Sequence, residues 1–122
     1  ILVIAGAAGI WLFYVQHQFE EAYWERQENW DADAAALQGS SFYDLPRLLH
    51  WFTGNIGYHH IHHLSSKVPN YNLRACYESS ELLQKAPRLS IRESFKCARL
   101  KRWDEENRRL IGFSQLRNRS AA

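Results

Sequence analysis

The chain has 122 residues, including no methionine, with 46% hydrophobic and 23% charged residues. This length excludes more than one domain, and the composition is ordinary for a folded protein. The absence of methionine predicts a fragment or a chain processed at its front end. The net charge of +2 hides an asymmetry: residues 1–84 have four basic and nine acidic side chains, and residues 85–122 have eleven and four.

The first element is an apolar run, ILVIAGAAGIWLFYV, over residues 1–15. A membrane-spanning helix needs about 20 such residues, and this run begins with the first residue of the chain. Aromatic residues follow at a density typical of a membrane–water interface. We therefore predict a truncated transmembrane helix over 1–15, with the basic C-terminal side in the cytoplasm. A buried soluble helix is an alternative; a signal peptide is disfavoured because no charged region precedes the run.

The rest of the chain is predicted to be helical, because it shows no alternating strand pattern. Asp44 as N-cap and Pro46 in the first turn indicate one helix start, and Ser90 with Glu93 forms a capping-box pattern at another. The predicted segments in chain order are a continuation of the first helix over 16–29, a short helix or loop over 31–43, and helices over 45–63, 72–85 and 90–110.

Cys76 and Cys97 lie 21 residues apart and form no CxxC pattern. Such spacing disfavours a zinc or redox pair. The sequence therefore predicts two unpaired thiols in a reducing compartment.

Four of the six histidines lie in GYHHIHHL, residues 57–64. On a helix with about 100° per residue, His59, His62 and His63 fall within an arc of about 100°. Their imidazoles can therefore converge on a metal, and neutral imidazole suits zinc, iron, copper or nickel. His60 lies at the edge of the arc and is predicted to be a bystander. The alternative is a His-rich surface turn without a ligand.

Several residues outside this cluster are further candidates. His17 ends the apolar run and is a fourth candidate metal ligand. Glu20 and Glu21 follow on the same helical face as ligands, as acceptors for an imidazole N–H, or as solvated acids. Asn55, one turn before the cluster, is the candidate to hold a water or a ligand in place. His50 lies more than two turns away from the cluster and is assigned a surface or packing role.

Two segments resemble the C-terminal third of membrane acyl-lipid desaturases, especially the Δ12/ω-6 type: YVQHQFEEAYW (14–24) and FYDLPRLLHWFTGNIGYHHIHHLSSKVPNYNL (42–73). The H-x-x-H-H pattern at 59–63, with the downstream P-x-Y-N at 69–72, is similar to the third histidine box of that family. The Gln16-His17 pair is similar to a segment between the family's second and third boxes. Its first two boxes are absent here, so the fragment alone is expected to be inactive.

The resemblance implies an all-α fold, the C-terminal part of a membrane-embedded helical bundle with a cytosolic helical cap. The implied division is a truncated transmembrane helix (1–15), the C-terminal part of the desaturase domain (16–85) and a charged helical tail (86–122). The protein would be an integral membrane protein, with its C-terminal region and histidine box on the cytoplasmic side.

The resemblance also implies the chemistry. Family members hold two iron ions with histidines and use O2 to introduce a double bond into an acyl chain. The implied ligands are His59, His62, His63 and His17, completed by histidines absent from this chain, with Asn55 beside them and no other catalytic residue. The implied partners are an acyl-lipid or fatty acyl substrate, O2, membrane lipid, and ferredoxin or cytochrome b5 as electron donor.

Two classes without catalysis stay open from the residues alone. One is a small soluble, His-rich metal-binding or regulatory domain, which would hold zinc. The other is a membrane-surface interaction module, whose basic 85–109 helix docks on anionic lipid or on a partner. The mixed charges of that helix also fit an ordinary solvated face, and no nucleic-acid partner is expected.

Overall fold

A computed structural model of the chain describes residues 1–119. In this range it contains eight α-helices, four short strands and three 3-10 turns. The helices are α1 Leu2–His17, α2 Ala32–Gln38, α3 Arg47–Phe52, α4 His59–Leu64, α5 Leu73–Ser79, α6 Glu81–Gln84, α7 Ile91–Cys97 and α8 Phe113–Arg119. The strands are β1 Phe42–Asp44, β2 Arg88–Ser90, β3 Leu100–Asp104 and β4 Arg109–Gly112. The 3-10 turns are Gln27–Asn29, Ile56–Tyr58 and Asn70–Asn72.

Helix α1 forms from the apolar run and stops two residues beyond it. Gln18 leaves the helical conformation with φ −116° and ψ 70°, so the predicted continuation over 16–29 is wrong. Among the residues that the structure describes, no helix is both long and apolar enough to cross a membrane.

The predicted all-α fold is wrong, because two small sheets are present. Strands β1 and β2 pair in parallel, with Tyr43 opposite Leu89, and β3 and β4 form an antiparallel hairpin. The three-residue strands of the first sheet are too short to show an alternating pattern, and more than 40 residues separate them in the chain. Only tertiary packing brings them together.

The hairpin replaces the second half of the helix predicted over 90–110, and with it the purely helical tail over 86–122. The capping box itself is confirmed, since Ser90 and Glu93 close it at the start of α7. Helix α7 nevertheless ends at Cys97, and the charged LKRWD segment pairs with RLIG as strands. In the connecting turn, Asp104 accepts a hydrogen bond from the Asn107 side chain at 2.7 Å.

The helix predicted over 45–63 is divided into α3, a 3-10 turn and α4. Gly54 and Asn55 both have left-handed backbones, with φ of 61° and 62°, and two such residues in succession end a right-handed helix. The predicted N-cap is also wrong: Pro46, and not Asp44, is the N-cap of α3, which begins at Arg47, and Asp44 ends β1.

Strand β1 links two hydrophobic clusters and so fixes the position of α1 relative to α4. Neighbouring strand residues point to opposite faces of a sheet. Tyr43 packs in the cluster that contains Val15 and Phe19 of the α1 region, and Phe42 packs in the cluster that contains Ile61 of α4. The C-terminal end of α1 therefore lies beside the histidine-rich helix.

Candidate metal centre

The last residue of α1, His17, has a defined tautomer in its neutral form. Its Nδ1 atom lies 2.9 Å from the Phe13 carbonyl oxygen, one helical turn earlier. A carbonyl oxygen only accepts hydrogen bonds, so Nδ1 carries the proton and donates it. The Nε2 atom of neutral His17 therefore presents a lone pair, and the hydrogen bond to Phe13 fixes the ring orientation as in known metal-binding histidines.

Helix α4 presents two histidines to this Nε2 atom. His59 and His63 lie one turn apart, and their Nε2 atoms are 3.1 Å from each other. The Nε2 atoms of His63 and His17 are 2.9 Å apart. One nitrogen from each of His17, His59 and His63 lies within 4.8 Å of the others, so these three residues form a cluster that can hold a metal ion.

The two short nitrogen–nitrogen distances, both from His63 Nε2, are compatible with metal coordination. Two imidazole nitrogens bound to one ion at about 2.0–2.1 Å and at right angles lie about 3 Å apart. The observed distances of 3.1 Å and 2.9 Å agree with that spacing. Three neutral histidines suit iron, zinc or copper, so the donor set alone does not select the metal.

Desolvation keeps the two box histidines of the cluster, His59 and His63, neutral and therefore ready for a metal. The His59 side chain is buried, and burial, followed by the charges of the neighbouring histidines, lowers its pKa to about 4. Burial also lowers the pKa of His63, and the nearby His17 and His62 act in the same direction. Unprotonated imidazoles, which metal binding requires, therefore predominate at neutral pH.

The third box residue, His62, is exposed and lies outside the three-histidine cluster. Its ring stacks beside His59 with the ring centroids 5.8 Å apart, and its centroid is 6.4 Å from that of His63. The arc predicted for one continuous helix places it near the others, but the tight cluster uses His17 from α1 instead.

Asn55 lies beside the cluster, although it is not on the helix that carries the histidines, where the sequence predicted it. Its amide donates a hydrogen bond to the Asn70 carbonyl at 2.9 Å, which ties the turn before the box to the 69–72 segment. Asn55 and His62 line the same cavity of about 340 Å³, which also reaches His59. The hydrogen bond therefore joins Asn55 to Asn70, which lines the same cavity as His59 and His62.

The two other histidines are buried in aromatic surroundings away from the cluster. His60 is fully buried, with Phe42 and Tyr77 at its edges, and no residue in the described range forms a hydrogen bond with either ring nitrogen. Burial lowers its pKa to about 4, and the nearby Leu83 backbone, which lies outside ordinary hydrogen-bond geometry, acts in the opposite direction. His50 stacks on Tyr58 and is also buried. Both are packing residues in this structure.

The two glutamates after His17 do not join the cluster. Glu20 pairs with Arg109 of β4 at 3.1 Å, and Glu21 is exposed and lines a separate cavity with Glu20 and Arg88. Helix α1 has ended at this point, so the helical spacing that placed them beside His17 does not apply.

Gly57 allows the close packing expected of a glycine, but the sequence did not indicate which residues it packs against. A Cβ atom at this position would lie 2.3 Å from the Tyr43 carbonyl oxygen and 2.5 Å from His50 Cε1. Only glycine fits so close to another backbone, and this contact seats the start of the box against β1. The sequence shows a glycine two residues before the first histidine of the box. The backbone that it packs against, at Tyr43, is distant in the chain.

Comparison with known proteins identifies several relatives of this chain. A protein of Bacillus subtilis (strain 168) named fatty acid desaturase is 49% identical over 118 residues, which cover 97% of this chain and 34% of the relative. The chloroplastic omega-6 fatty acid desaturase of Spinacia oleracea is 35% identical over 65 residues, covering 53% of this chain and 14% of that protein. The sn-1 oleoyl-lipid 12-desaturase of Anabaena variabilis is 34% identical over 65 residues, covering 53% and 19%.

The chain thus spans about a third of the length of its Bacillus relative and less of the other two. No solved structure matches it at a significant level. The family model described as fatty acid desaturase matches residues 1–94, which include α1 and the complete box. This match and the similarity to the Bacillus protein confirm the resemblance found in the sequence, and the chain belongs to the fatty acid desaturase family.

Proposed function

We propose that the chain provides the third histidine box of a di-iron fatty acid desaturase, which introduces a double bond into an acyl chain. The observation that carries the proposal is the convergence of His17 with His59 and His63. These three are the proposed ligands of one iron. His62, beside His59 and exposed, is the proposed ligand nearest the second iron, whose remaining histidines would come from outside this chain.

Iron bound at this site would supply the oxidation by O2 that removes two hydrogens from the acyl chain. The reaction balances when O2, two electrons and two protons enter and two waters leave together with the alkene. The electrons would come from a ferredoxin or cytochrome b5 donor. We further propose that the double bond is introduced with Δ12/ω-6 regioselectivity, which the names of the plant and cyanobacterial relatives support.

The residues of this chain would bind the metal and keep its ligands oriented and neutral. None of them is proposed to transfer protons. The Phe13 carbonyl fixes the His17 ring, and the burial of His59 keeps its imidazole neutral. Asn55, through its hydrogen bond to Asn70, would hold the 69–72 segment beside the cavity that His59 and His62 line. No other side chain of the described residues is assigned a catalytic role.

The same proposal places the box at the cytoplasmic surface of a membrane. The residues at the start of α1 are apolar and almost fully exposed, with Leu2 at 87% and Val3 at 83%. Residues 1–15 would then be part of a membrane helix, residues 16–85 the part of the catalytic domain that carries the box, and residues 86–122 an appended charged segment.

The test is expression of the complete desaturase in a host with simple lipids, with new double bonds measured by gas chromatography and iron measured in the purified protein. Separate His59→Ala, His62→Ala and His63→Ala variants should each lower product at least 100-fold. Glu21→Ala is the matched control, because Glu21 follows His17 closely in sequence but lies outside the cluster, and the variant should retain product within about twofold.

Two outcomes would contradict the proposal. Full activity in the His63→Ala variant would exclude the cluster from the active site. Stoichiometric zinc without iron, together with no double bonds in the wild type, would favour the small zinc-binding domain instead.

A further inference from the structure

An open groove of about 400 Å³ lies along α1, where α7 ends and β3 begins. Its lining is Ala7, Ile10, Trp11, Tyr14, Ala98 and Lys101. The wall is apolar and aromatic except for the Tyr14 hydroxyl and the Lys101 ammonium. None of the clustered histidines lines it, so this groove is separate from the candidate metal centre.

Lys101 is placed at the polar end of the groove by Tyr14. Its Nζ atom lies 3.4 Å from the Tyr14 hydroxyl and 5.6 Å from the centre of the Tyr14 ring. Within residues 1–119, no carboxylate forms an ion pair with it. The ammonium is exposed, so it is available to an anion from solution or from a membrane surface.

The surroundings of Lys101 are strongly basic. Lys96, Arg99 and Arg102 are exposed on the same α7–β3 segment. The nearest preceding acid, Glu93, is engaged with Ser90 in the capping box. Glu93 stays charged and offsets part of the Lys96 charge, but Arg99, Lys101 and Arg102 form no ion pair within residues 1–119, and their positive charge favours an anionic ligand at this end of the groove.

The opposite end of the groove is apolar and continues along α1. Trp11 and Phe95 contact each other with tilted rings whose centroids are 5.5 Å apart, and Phe95 is 63% exposed. Beyond them, Ile4 is 77% exposed. An exposed apolar helix that leads to aromatic rings and then to cations is the arrangement found at a membrane interface.

We propose that this groove binds an anionic glycerophospholipid, with its phosphate at Lys101 and an acyl chain along Ala7 and Trp11. Charge complementarity selects an anionic headgroup, and the apolar wall next to the cation selects a lipid over an acidic protein, whose polar surface would leave that wall uncovered. The site goes beyond the proposed function and does not depend on bound metal.

The test is native mass spectrometry of the complete, detergent-solubilised protein titrated with dioleoylphosphatidylglycerol, with dioleoylphosphatidylcholine as the neutral comparison. Removing the charge by Lys101→Gln should weaken phosphatidylglycerol binding about fivefold, the effect of one lysine at a lipid surface. Lys101→Arg should bind like the wild type. Lys85→Gln is the matched control, since it removes an equal charge from an exposed lysine outside the groove, and its binding should not change.

Two further variants test the lipid site separately from the Lys101 charge and from the metal centre. Ala98→Phe, which fills the groove without changing charge, should also weaken phosphatidylglycerol binding. His63→Ala should lose iron yet bind the lipid like the wild type, so failure of the metal proposal is distinguishable from failure of this one.

Three results would overturn the lipid site. The first is unchanged phosphatidylglycerol binding by Lys101→Gln, and the second is equal binding of the two lipids by the wild type. The third is displacement of the lipid by millimolar inorganic phosphate, which would mean a simple anion site. If the first result came with a loss of affinity for an acidic electron-transfer protein, the patch would be a protein docking site.

Discussion

The Nε2 atoms of His17 and His63 lie 2.9 Å apart, although 46 positions separate these residues in the chain. This contact joins the end of α1 to the last turn of α4. It makes the cluster a product of tertiary structure, with only two of its three rings supplied by the box helix.

The contact predicts that His17 is as necessary for metal binding as the box histidines. His17→Ala should weaken iron binding at least tenfold, because it removes one of three converging donors. Glu20→Ala, which removes a carboxylate engaged with Arg109, should leave iron binding unchanged. Iron titration of the chelator-treated protein measures both variants, and the reverse order of effects would identify the carboxylate as the ligand.

For His60, the buried histidine outside the cluster, we expect substitution to change stability and not iron binding. His60→Leu should stabilise the protein by about 1 kcal/mol, because a buried polar group without a hydrogen bond is costly and leucine has a similar size. Its iron content should equal that of the wild type. Urea unfolding measures the change. A clear loss of stability would mean that the ring nitrogens have a partner, such as a buried water.

The lowered pKa values of His59 and His60 predict a pH-dependent stability. Both lie at about 4 in the fold, against 6.5 for an ordinary histidine. Between these values the unfolded chain binds more protons than the folded protein, so the free energy of unfolding falls as the pH drops from 6.5 to 4. Above pH 6.5 both states are neutral, and these two groups add no slope.

Denaturant titration of the metal-free protein at several pH values checks this dependence. The His60→Leu variant should show a shallower loss of stability, because one of the two protonations is removed. An identical slope in the variant and the wild type would contradict the assignment of His60 to this window.

Gly57 should tolerate no side chain, because it packs against the backbone of β1. Gly57→Ala places a Cβ atom against the Tyr43 carbonyl and His50, and relieving that overlap should cost about 1–3 kcal/mol. Gly9→Ala is the matched control: the added Cβ has nothing within 4 Å, and alanine in an exposed helix should raise stability by up to about 1 kcal/mol. Thermal unfolding compares the two, and equal melting temperatures would show that the β1 contact is not tight.

The sequence by itself determined the elements that depend on neighbouring residues. The apolar run predicts α1, and Ser90 with Glu93 predicts the start of α7, since a capping box forms between residues three positions apart. The pattern at 59–63, together with its flanks, was also sufficient to indicate the family, because those residues are contiguous.

Tertiary structure alone decided how these elements meet. The β1–β2 pairing and the β3–β4 hairpin gain their hydrogen bonds from partners that the local pattern does not reveal, so a charged segment that suits a helix becomes a strand. Likewise, helical spacing grouped His62 with His59 and His63. The break at Gly54 and Asn55 and the packing of β1 between the two hydrophobic clusters instead bring His17 to the pair. A metal cluster needs atoms within a few ångströms of each other, and only the packing of α1 against α4 sets that distance.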